Sequence, residues 1–521
     1  MQGSLQNWLP APSWKALTAS FFIAFGSLQA PAVVAQPSLP TLGDGLEMTT
    51  SAERKLGDRI IRELYRDPDY IDDAVLNEYV QSLFLPLVQA AKARGELSPE
   101  LEERFAWEIL LGRDRTVNAF ALPGGYFGVH LGLIGVVSTR DELASVLAHE
   151  LSHVTQRHIS RLIAQQGRQT PLMLGALILG ALAASRSPDA AQALMVGGQA
   201  LAVQSQLNFS RDMEREADRV GYGLMVPAGF APQGFVGMFD KLQQANRIND
   251  NGSWPYLRSH PLTTQRIADM HSRIPPGAAQ PARATLEHLM MAARARVLMR
   301  PGVDAWRQWV AEPQDAGFAA RPAPQRVAAW YAATLSAVQL GDMAAARKAL
   351  RALQSSAGSD AAALRQARLL GAELELAAGD APAALTYLQG SVVTEGSGVP
   401  SAPAPARPEM LLRTQALLRT GAAGEMAGPL QTWVATHPRD ATVWQALAQV
   451  WQQQGQPLRA VRAEAEAHAA RYDYAAAVDR FKAGQDLARR SSAAGDYIEA
   501  SIIDTRLRAV ESLLKEQAAE R

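Results

Sequence analysis

Three of the nine histidines of this chain lie in the stretch VLAHELSHVTQRH. His149 and His153 are four residues apart, and Glu150 directly follows the first of them. On an α-helix, side chains four residues apart are rotated by about 40°, so both imidazoles can bind one ion from a single face. Two neutral imidazoles favour Zn²⁺, and a carboxylate beside the ion can take a proton from water. This H-E-x-x-H spacing predicts a hydrolytic site with one zinc ion per chain and Glu150 as general base.

Catalytic zinc usually has three protein ligands, so a third must be found. Ile159 stands six residues after His153, which means that the third ligand comes from another segment. The stretch MEREADRVG offers Glu214, Glu216 and Asp218. Glu214 and Asp218 share one helix face, whereas Glu216 points away. We predict that Glu214 is the third ligand and that Asp218 accepts a hydrogen bond from a ligand imidazole. An acidic pair on a solvated helix face is the alternative.

His260, in the segment RSHPLT, is a further candidate beside the metal. Peptide hydrolysis develops negative charge on the scissile carbonyl oxygen, and a hydrogen-bond donor placed there stabilises the transition state. His260 can supply that donor, or it can cap a helix expected to begin near Pro261. Arg266 can pair with an acidic group near the metal or lie solvated on its helix. His158 is expected on a helix face rather than among the ligands.

The segment that carries the two histidines has a recognisable start. Thr139 and Glu142 form a capping box, so a helix is expected to begin there and to run to about Gln166. The residues that flank the two histidines are apolar, which argues against a solvated helix: Val146, Leu147, Leu151 and Val154. Ahead of this helix, the alternating segment NAFALPGGYFGVHLGLI predicts two short strands joined by a Pro-Gly-Gly turn.

Other segments have helical or apolar patterns. Residues 49–111 are expected to be helical, and the helix that contains EREAD is expected to end at Gly221 and Gly223. The apolar stretch 171–184 has 14 residues, which is short for a membrane span. It is interpreted as a buried helix; the alternative is a mobile lid or a segment that makes peripheral contact with a membrane.

The composition and the first residues of the chain indicate its compartment. The net formal charge is zero, so nothing favours a nucleic-acid partner, and the absence of cysteine excludes disulfides and thiolate sites. Residues 1–35 resemble a signal peptide: Lys15 precedes an apolar run, and small residues Val33 and Ala35 precede a plausible cleavage point. A short membrane anchor is the alternative. Secretion without cysteine favours the bacterial periplasm.

The second half of the chain contains an internal repeat. Glycines recur at spacings of 38, 42, 34 and 40 residues, at Gly341, Gly379, Gly421, Gly455 and Gly495. The residue five positions after each glycine is alanine in all copies except that of Gly421, where it is Met426. A period of this length predicts stacked helical hairpins of the tetratricopeptide type. The glycine would form the turn, and the alanine would let the second helix pack closely; an unrelated helical bundle is the alternative.

The motifs HELSH, EREAD and SHPLTTQRI together resemble those of the M48 family of zinc metallopeptidases. The resemblance is specific over about Thr49–Ile274 and only architectural over the repeats. It implies a mainly α fold, in which a gluzincin-type domain of helices with a small sheet precedes an α-solenoid. Similarity to the periplasmic members of this family that carry tetratricopeptide repeats implies outer-membrane β-barrel clients, partners in the β-barrel assembly machinery and a chaperone-like role. It also implies that His260 can sit on the zinc and block its water.

The expected organisation is a signal peptide at 1–35, a metallopeptidase domain at 36–295, a linker at 296–325 and a repeat domain at 326–521. The expected function is a periplasmic zinc endopeptidase that acts in outer-membrane protein assembly, with the repeats recruiting its clients. Two other hypotheses stay open at this point. One is a chaperone or scaffold whose zinc site is latent, and the other is a secreted degradative protease.

Overall fold

The computed structural model describes six stretches of the chain, which are residues 48–165, 210–247, 253–273, 284–389, 406–490 and 496–519. These residues belong to one compact unit. The predicted signal peptide, the apolar stretch 171–184 and Gly495 lie outside the described residues. Within the described stretches, no helix combines the length and the apolar character that a membrane span requires.

A small mixed sheet precedes the helix that carries the histidines. Its strands are β1 (Tyr70–Ile71), β2 (Glu108–Gly112), β3 (Ala119–Leu122) and β4 (Tyr126–His130). The spatial order is β1-β2-β4-β3, with β2 and β4 parallel and with β1 and β3 antiparallel to their neighbours. The predicted turn between β3 and β4 is confirmed, because Gly124 and Gly125 there have φ of 78° and 80°. Such backbone conformations favour glycine.

The first helices of the described chain are α1 (Thr50–Leu64), α2 (Ala74–Ala93), α3 (Pro99–Arg104), α4 (Leu131–Val136), α5 (Arg140–Thr155) and α6 (His158–Gln165). The prediction that residues 49–111 are helical was wrong where β1 and β2 lie. Strand β2 has the sequence EILLG and buries three consecutive apolar residues against its neighbours. A short buried run of this kind cannot be distinguished from a helix segment by its periodicity.

Helix α5 begins where the capping box predicts. The Thr139 hydroxyl accepts a hydrogen bond from the backbone N–H of Glu142 at 3.2 Å, and the Glu142 carboxylate accepts one from Ser138 N–H at 2.7 Å. The prediction of one helix to about Gln166 was wrong. The chain leaves the helix after Thr155, Arg157 adopts φ of 53°, and α6 begins at the next residue.

The middle helices are α7 (Arg211–Met225), α8 (Gln233–Arg247), α9 (Tyr256–Ser259), α10 (Thr264–Ser272) and α11 (Leu286–Leu298). The predicted end of α7 at Gly221 and Gly223 was wrong, because the helix continues through both glycines. A Cβ atom at Gly221 would lie 3.0 Å from the carbonyl oxygen of Ala148 in α5. Gly221 therefore serves the close approach of α7 to α5 rather than the end of the helix.

A run of helices follows: α12 (Val303–Ala311), α13 (Ala323–Leu340), α14 (Met343–Ala357), α15 (Ala361–Ala377), α16 (Ala381–Leu388), α17 (Arg407–Thr420), α18 (Ala427–Thr436), α19 (Ala441–Gln453), α20 (Pro457–Ala470), α21 (Tyr474–Arg490) and α22 (Asp496–Ala519). Short 3₁₀ segments lie at Glu312–Gln314, Phe318–Ala320 and Ala423–Met426. Most consecutive helices pack against each other, as expected of helical hairpins. The fold is therefore mainly α with a small sheet, as predicted.

The recurring glycines of the second half lie between paired helices. Gly341, Gly379, Gly421 and Gly455 all have positive φ, between 67° and 83°. Ala346, which follows the first of them by five residues, is fully buried. The turn role of these glycines is confirmed, whereas the tetratricopeptide assignment stays a prediction.

The helical run packs on the preceding part of the chain through salt bridges around α2. Asp73, the N-cap of α2, accepts two hydrogen bonds from Arg294, at 2.9 and 2.7 Å. The same guanidinium binds Glu373 of α15 at 2.7 and 2.8 Å. One hydrophobic core extends without interruption from Val75 in α2 to Ala416 in α17. The predicted boundaries at 295 and 325 stay predictions.

We expect Arg294→Ala to lower the stability of the whole chain. The Arg294 side chain is 5% exposed, and its removal leaves two largely buried carboxylates, Asp73 and Glu373, without their cation. Breaking a buried pair in this way typically costs about 3 kcal/mol or more. Thermal unfolding followed by circular dichroism should show a clearly lower Tm. Arg66→Ala, which breaks an exposed pair with Glu63, is the matched control and should leave the Tm unchanged. Equal Tm values for both variants would contradict the expectation.

Candidate metal centre

Three elements supply the side chains of the candidate site. Helix α5 contributes His149, Glu150 and His153, helix α7 contributes Glu214, and His260 follows α9. All five side chains are buried, with exposed fractions of 0–2%. The close approach at Gly221 sets α7 against α5 about two turns beyond Glu214, so that the ligand faces of both helices meet. The structure thus brings together the residues that spacing alone selected, and it adds His260 to them.

Four potential ligand atoms converge at this point. His149 Nε2 lies 3.0 Å from His153 Nε2 and 3.3 Å from His260 Nδ1. Glu214 Oε1 lies 3.0 Å from His260 Nδ1 and 3.4 Å from His153 Nε2. In a tetrahedral zinc site with bonds of about 2.0–2.1 Å, neighbouring ligand atoms are ~3.3 Å apart. The spacing of these four atoms therefore fits a zinc ion.

Glu150 lies beside this set of ligand atoms rather than in it. Its carboxylate is 1% exposed, and the hydroxyl of Tyr256 interacts with it. Its nearest charged partner is His260 Nε2, at 3.4 Å. Burial raises the pKa of Glu150, which suits a group that must accept a proton.

Asp218 and Arg266 hold the ligand side chains in position through hydrogen bonds and ion pairs. Asp218 Oδ1 lies 2.9 Å from His149 Nδ1, so the carboxylate accepts the N–H of that ring and leaves Nε2 for a metal. Arg266 donates to Asp218 from Nε at 2.6 Å and from Nη2 at 2.8 Å. Its Nη1 also lies 2.7 Å from Glu214 Oε2. Arg266 therefore holds both carboxylates of α7, and it is buried rather than solvated.

The charges of the site favour an ionised Glu214. Burial alone would raise the pKa of Glu214, but the charge of His260 and hydrogen bonds with His149 and His153 hold it well below its usual range. Burial would lower the pKa of His149, yet hydrogen bonds to Asp218 and Glu214 raise it to about 10. These shifts describe an acidic pocket around the imidazoles, which is the electrostatic setting that a divalent cation requires.

His260 belongs to the site and not to the start of a helix. The N-cap of α10 is Thr263, whose hydroxyl accepts from Arg266 N–H at 3.2 Å. The helix thus starts three residues after Pro261, and the capping explanation for His260 was wrong. The His260 ring stacks on Tyr256 with centroids 4.5 Å apart, which orients Nδ1 toward the other ligand atoms. Tyr256 was not singled out in the sequence, because a lone tyrosine in a loop gives no signal of this role.

The structure separates Glu216 from Glu214 as the helix period predicts. Glu216 faces away from the four ligand atoms, where it binds Arg161 Nη1 at 2.9 Å and His158 Nε2 at 3.1 Å. His158 is not among the four converging ligand atoms, as expected, but it is completely buried at the start of α6. The helix break at Arg157, which the sequence pattern did not indicate, is what turns His158 inward.

Comparison with known proteins agrees with this geometry. The sequence profile of peptidase family M48 matches residues 75–274, which contain all of the candidate ligands. We refer to residues 75–274, which this profile matches, as the M48 domain. The metal that this family implies has a fitting donor set in the four converging atoms of the domain.

Several curated proteins are similar to part of this chain. The putative beta-barrel assembly-enhancing protease of Vibrio cholerae is 36% identical over 275 residues, which cover 51% of this chain and 53% of that protein. The beta-barrel assembly-enhancing protease of Escherichia coli K12 is 32% identical, with 45% and 47% covered. The mitochondrial metalloendopeptidase OMA1 of Saccharomyces cerevisiae is 28% identical, with 38% and 55% covered. This chain thus spans about half the length of the relatives that it matches.

We expect Glu214→Gln to weaken zinc binding by the M48 domain far more than Glu216→Gln. Only Glu214 lies among the converging ligand atoms, whereas Glu216 faces away. Asp218→Asn should cost about 10- to 100-fold in affinity, as is usual for groups that orient a metal-bound imidazole. Competition with a chromophoric zinc chelator measures all three affinities. Equal losses at positions 214 and 216 would show that the ligand assignment on α7 is wrong.

Proposed function

We propose that this chain is a zinc-dependent endopeptidase whose M48 domain cleaves peptide bonds. The observation that carries the proposal is the convergence of His149, His153 and Glu214 beside the buried carboxylate of Glu150. Two imidazoles and a carboxylate are the ligand set of many catalytic zinc sites. Such a set leaves the fourth coordination position of the metal open for water or substrate. One zinc ion per chain is the stoichiometry that follows from one such site among the described residues.

A bound zinc ion would supply Lewis acidity, which polarises the scissile carbonyl and acidifies the attacking water. In the proposed reaction, Glu150 accepts the proton that the water loses as its oxygen bonds to the carbonyl carbon. Glu150 then returns this proton to the leaving amine when the C–N bond breaks. Asp218 holds His149 in the tautomer with an accessible Nε2, and Arg266 holds Asp218 in place.

The client proteins are proposed from the relatives and from the helical run. Two of the relatives are named for the assembly of β-barrels, and each is matched over about half its length. We propose that this chain acts in the periplasm on outer-membrane β-barrel proteins that fail to assemble, and on their assembly machinery. The helices after Val303 would recruit these partners and give the protein a chaperone-like role. Long helical arrays present extended surfaces that suit such recruitment.

We expect Glu150→Gln to keep the zinc and to lose the cleavage. The amide preserves the shape of the side chain but cannot accept the proton of water, and general-base catalysis contributes about 10²- to 10⁴-fold to the rate. Metal content and casein cleavage of the purified chain measure the two properties. Glu63→Gln, an exposed position on α1, is the matched control and should keep both. Full proteolysis by Glu150→Gln would refute the mechanism.

The same Glu150→Gln variant distinguishes the enzyme from a scaffold with a latent zinc site. If the chain acts only as a scaffold or chaperone, outer-membrane assembly in cells should be unaffected by the substitution. If proteolysis is required, assembly quality control should fail while the protein level stays normal. The burial of Glu150 beside the ligand atoms favours the enzyme, because a scaffold has no use for a buried carboxylate at this place.

His260 is proposed to repress the enzyme rather than to stabilise the oxyanion. Its Nδ1 lies within the set of ligand atoms, 3.3 Å from His149 Nε2 and 3.0 Å from Glu214 Oε1. An imidazole at this place would compete with water for the open coordination position of the zinc ion. Opening would then need a client or partner that binds the open state better.

We expect His260→Ala to raise basal casein cleavage and self-cleavage, because the open coordination position of the zinc ion becomes accessible to water. If His260 instead donates to the oxyanion, the same change should lower the rate by about 10²-fold. His271→Ala, which changes an exposed histidine of α10, is the control and should leave the rate unchanged. Time courses of cleavage for the three proteins give opposite signs for the two roles. A rate equal to the wild type for His260→Ala would refute both.

A further inference from the structure

His158 is a buried histidine that the proposed reaction does not use. Its Nδ1 lies 2.9 Å from Nδ1 of His153, and its Nε2 lies 3.1 Å from Glu216 Oε2. His158 is completely buried, whereas the Glu216 side chain is 30% exposed. A line of hydrogen-bonding groups therefore runs from a candidate metal ligand, through a second imidazole, to a carboxylate near the surface.

The backbone is deformed at the position that makes this contact possible. On a continuous helix, residues five apart are rotated by about 140°, so the side chain of residue 158 would point away from that of His153. Arg157 adopts φ of 53°, a conformation that is unfavourable for a residue with a Cβ atom. Its guanidinium binds the Glu53 carboxylate of α1 at 3.1 Å and the Ser160 hydroxyl at 3.1 Å. Backbone strain that tertiary contacts maintain is concentrated at functional sites.

Each hydrogen bond along this line is donated toward Glu216. Glu216 also accepts from Arg161 Nη1 at 2.9 Å, which keeps the carboxylate ionised and makes it only an acceptor. The facing Nε2 of His158 must then carry a hydrogen. In a neutral ring this leaves Nδ1 of His158 without one, so Nδ1 accepts from His153. His153 therefore donates from Nδ1 and presents the lone pair of Nε2 to the metal site.

We infer that His158 and Glu216 are positioning residues that set the tautomer and the orientation of the metal ligand His153. Asp218 does the same for His149 by direct contact, at 2.9 Å. For His153 the corresponding carboxylate is Glu216, which acts through the imidazole of His158 instead of by direct contact. Arg161 in turn binds Glu216. Groups that orient metal-bound imidazoles usually change metal affinity when they are removed. The assignment depends on the zinc site proposed above, and it extends that site to the exposed side of α7.

Zinc affinity of the purified full chain tests this inference, measured by competition with a chromophoric chelator. His158→Phe keeps an aromatic ring but removes both hydrogen bonds, whereas His158→Asn keeps an acceptor oxygen near the position of Nδ1. We expect His158→Phe to weaken zinc binding by about 10- to 100-fold and His158→Asn to stay within about 3-fold of the wild type. A role in core packing alone predicts similar losses in both variants.

Two substitutions on α7 test the outer part of the line. Glu216→Ala removes the acceptor, which Glu216→Gln would retain, and should weaken zinc binding by about 10-fold, the lower end of the usual range. Asp212→Ala removes the same charge one helical turn away, from a side chain that is 82% exposed, and should leave the affinity unchanged. The Tm of each metal-free protein shows whether the variant is folded. If His158→Phe does not fold, Glu216→Ala decides the question.

The outcomes separate this inference from the proposed function. Wild-type zinc affinity in His158→Phe, or in Glu216→Ala, would overturn the positioning role while the zinc site stands. Equal losses in His158→Phe and His158→Asn would also overturn it, because the acceptor atom would then not matter. A wild-type chain that binds no zinc would refute the proposed function itself, and the positioning role with it.

Discussion

The close approach of two helices, α5 and α7, is the constraint on which the site depends. Ligand atoms from His149 and Glu214, 65 positions apart in the chain, must meet within a few ångströms. Helix axes carrying ordinary side chains stay about 8–10 Å apart. At Gly221 a Cβ atom would meet the backbone of α5 at 3.0 Å, so the absence of a side chain there permits the contact. A larger residue would force the helices apart and separate the ligands.

Burial makes every charge in the site depend on its partners. Glu214, Asp218 and Arg266 are all buried, and the arginine contacts both carboxylates. A buried carboxylate without such partners would take up a proton and lose its value as a ligand. Glu150 differs, since its neighbours are Tyr256 and His260 rather than an arginine, and burial raises its pKa. Glu214 and Asp218 are thus kept ionised, whereas Glu150 has the raised pKa that its proposed role as proton acceptor needs.

The helical run and the M48 domain are joined by salt bridges and by a continuous hydrophobic core. Arg294 and Arg365 each join a carboxylate near the start of α2 to one in the helical run, and a single hydrophobic core continues between them. Charge-assisted, bidentate contacts of this kind have a specific geometry. Events at the helical run can therefore reach the sheet and the helices of the site through a packed body rather than a flexible tether. This arrangement suits the proposed release of peptidase activity by clients that bind the helical run.

The amino-acid sequence by itself determined most of the candidate metal centre, because helix periodicity places His149 and His153 on one face and distinguishes Glu214 from Glu216. Local patterns also located the start of α5, the turn between β3 and β4, and the glycine turns of the helical run. The break at Arg157 and the inward turn of His158 were decided by the tertiary structure. They depend on contacts with Glu53, 104 positions earlier, which no local pattern contains. The place of His260 was likewise decided in three dimensions, because a loop has no periodicity that fixes where its side chains point.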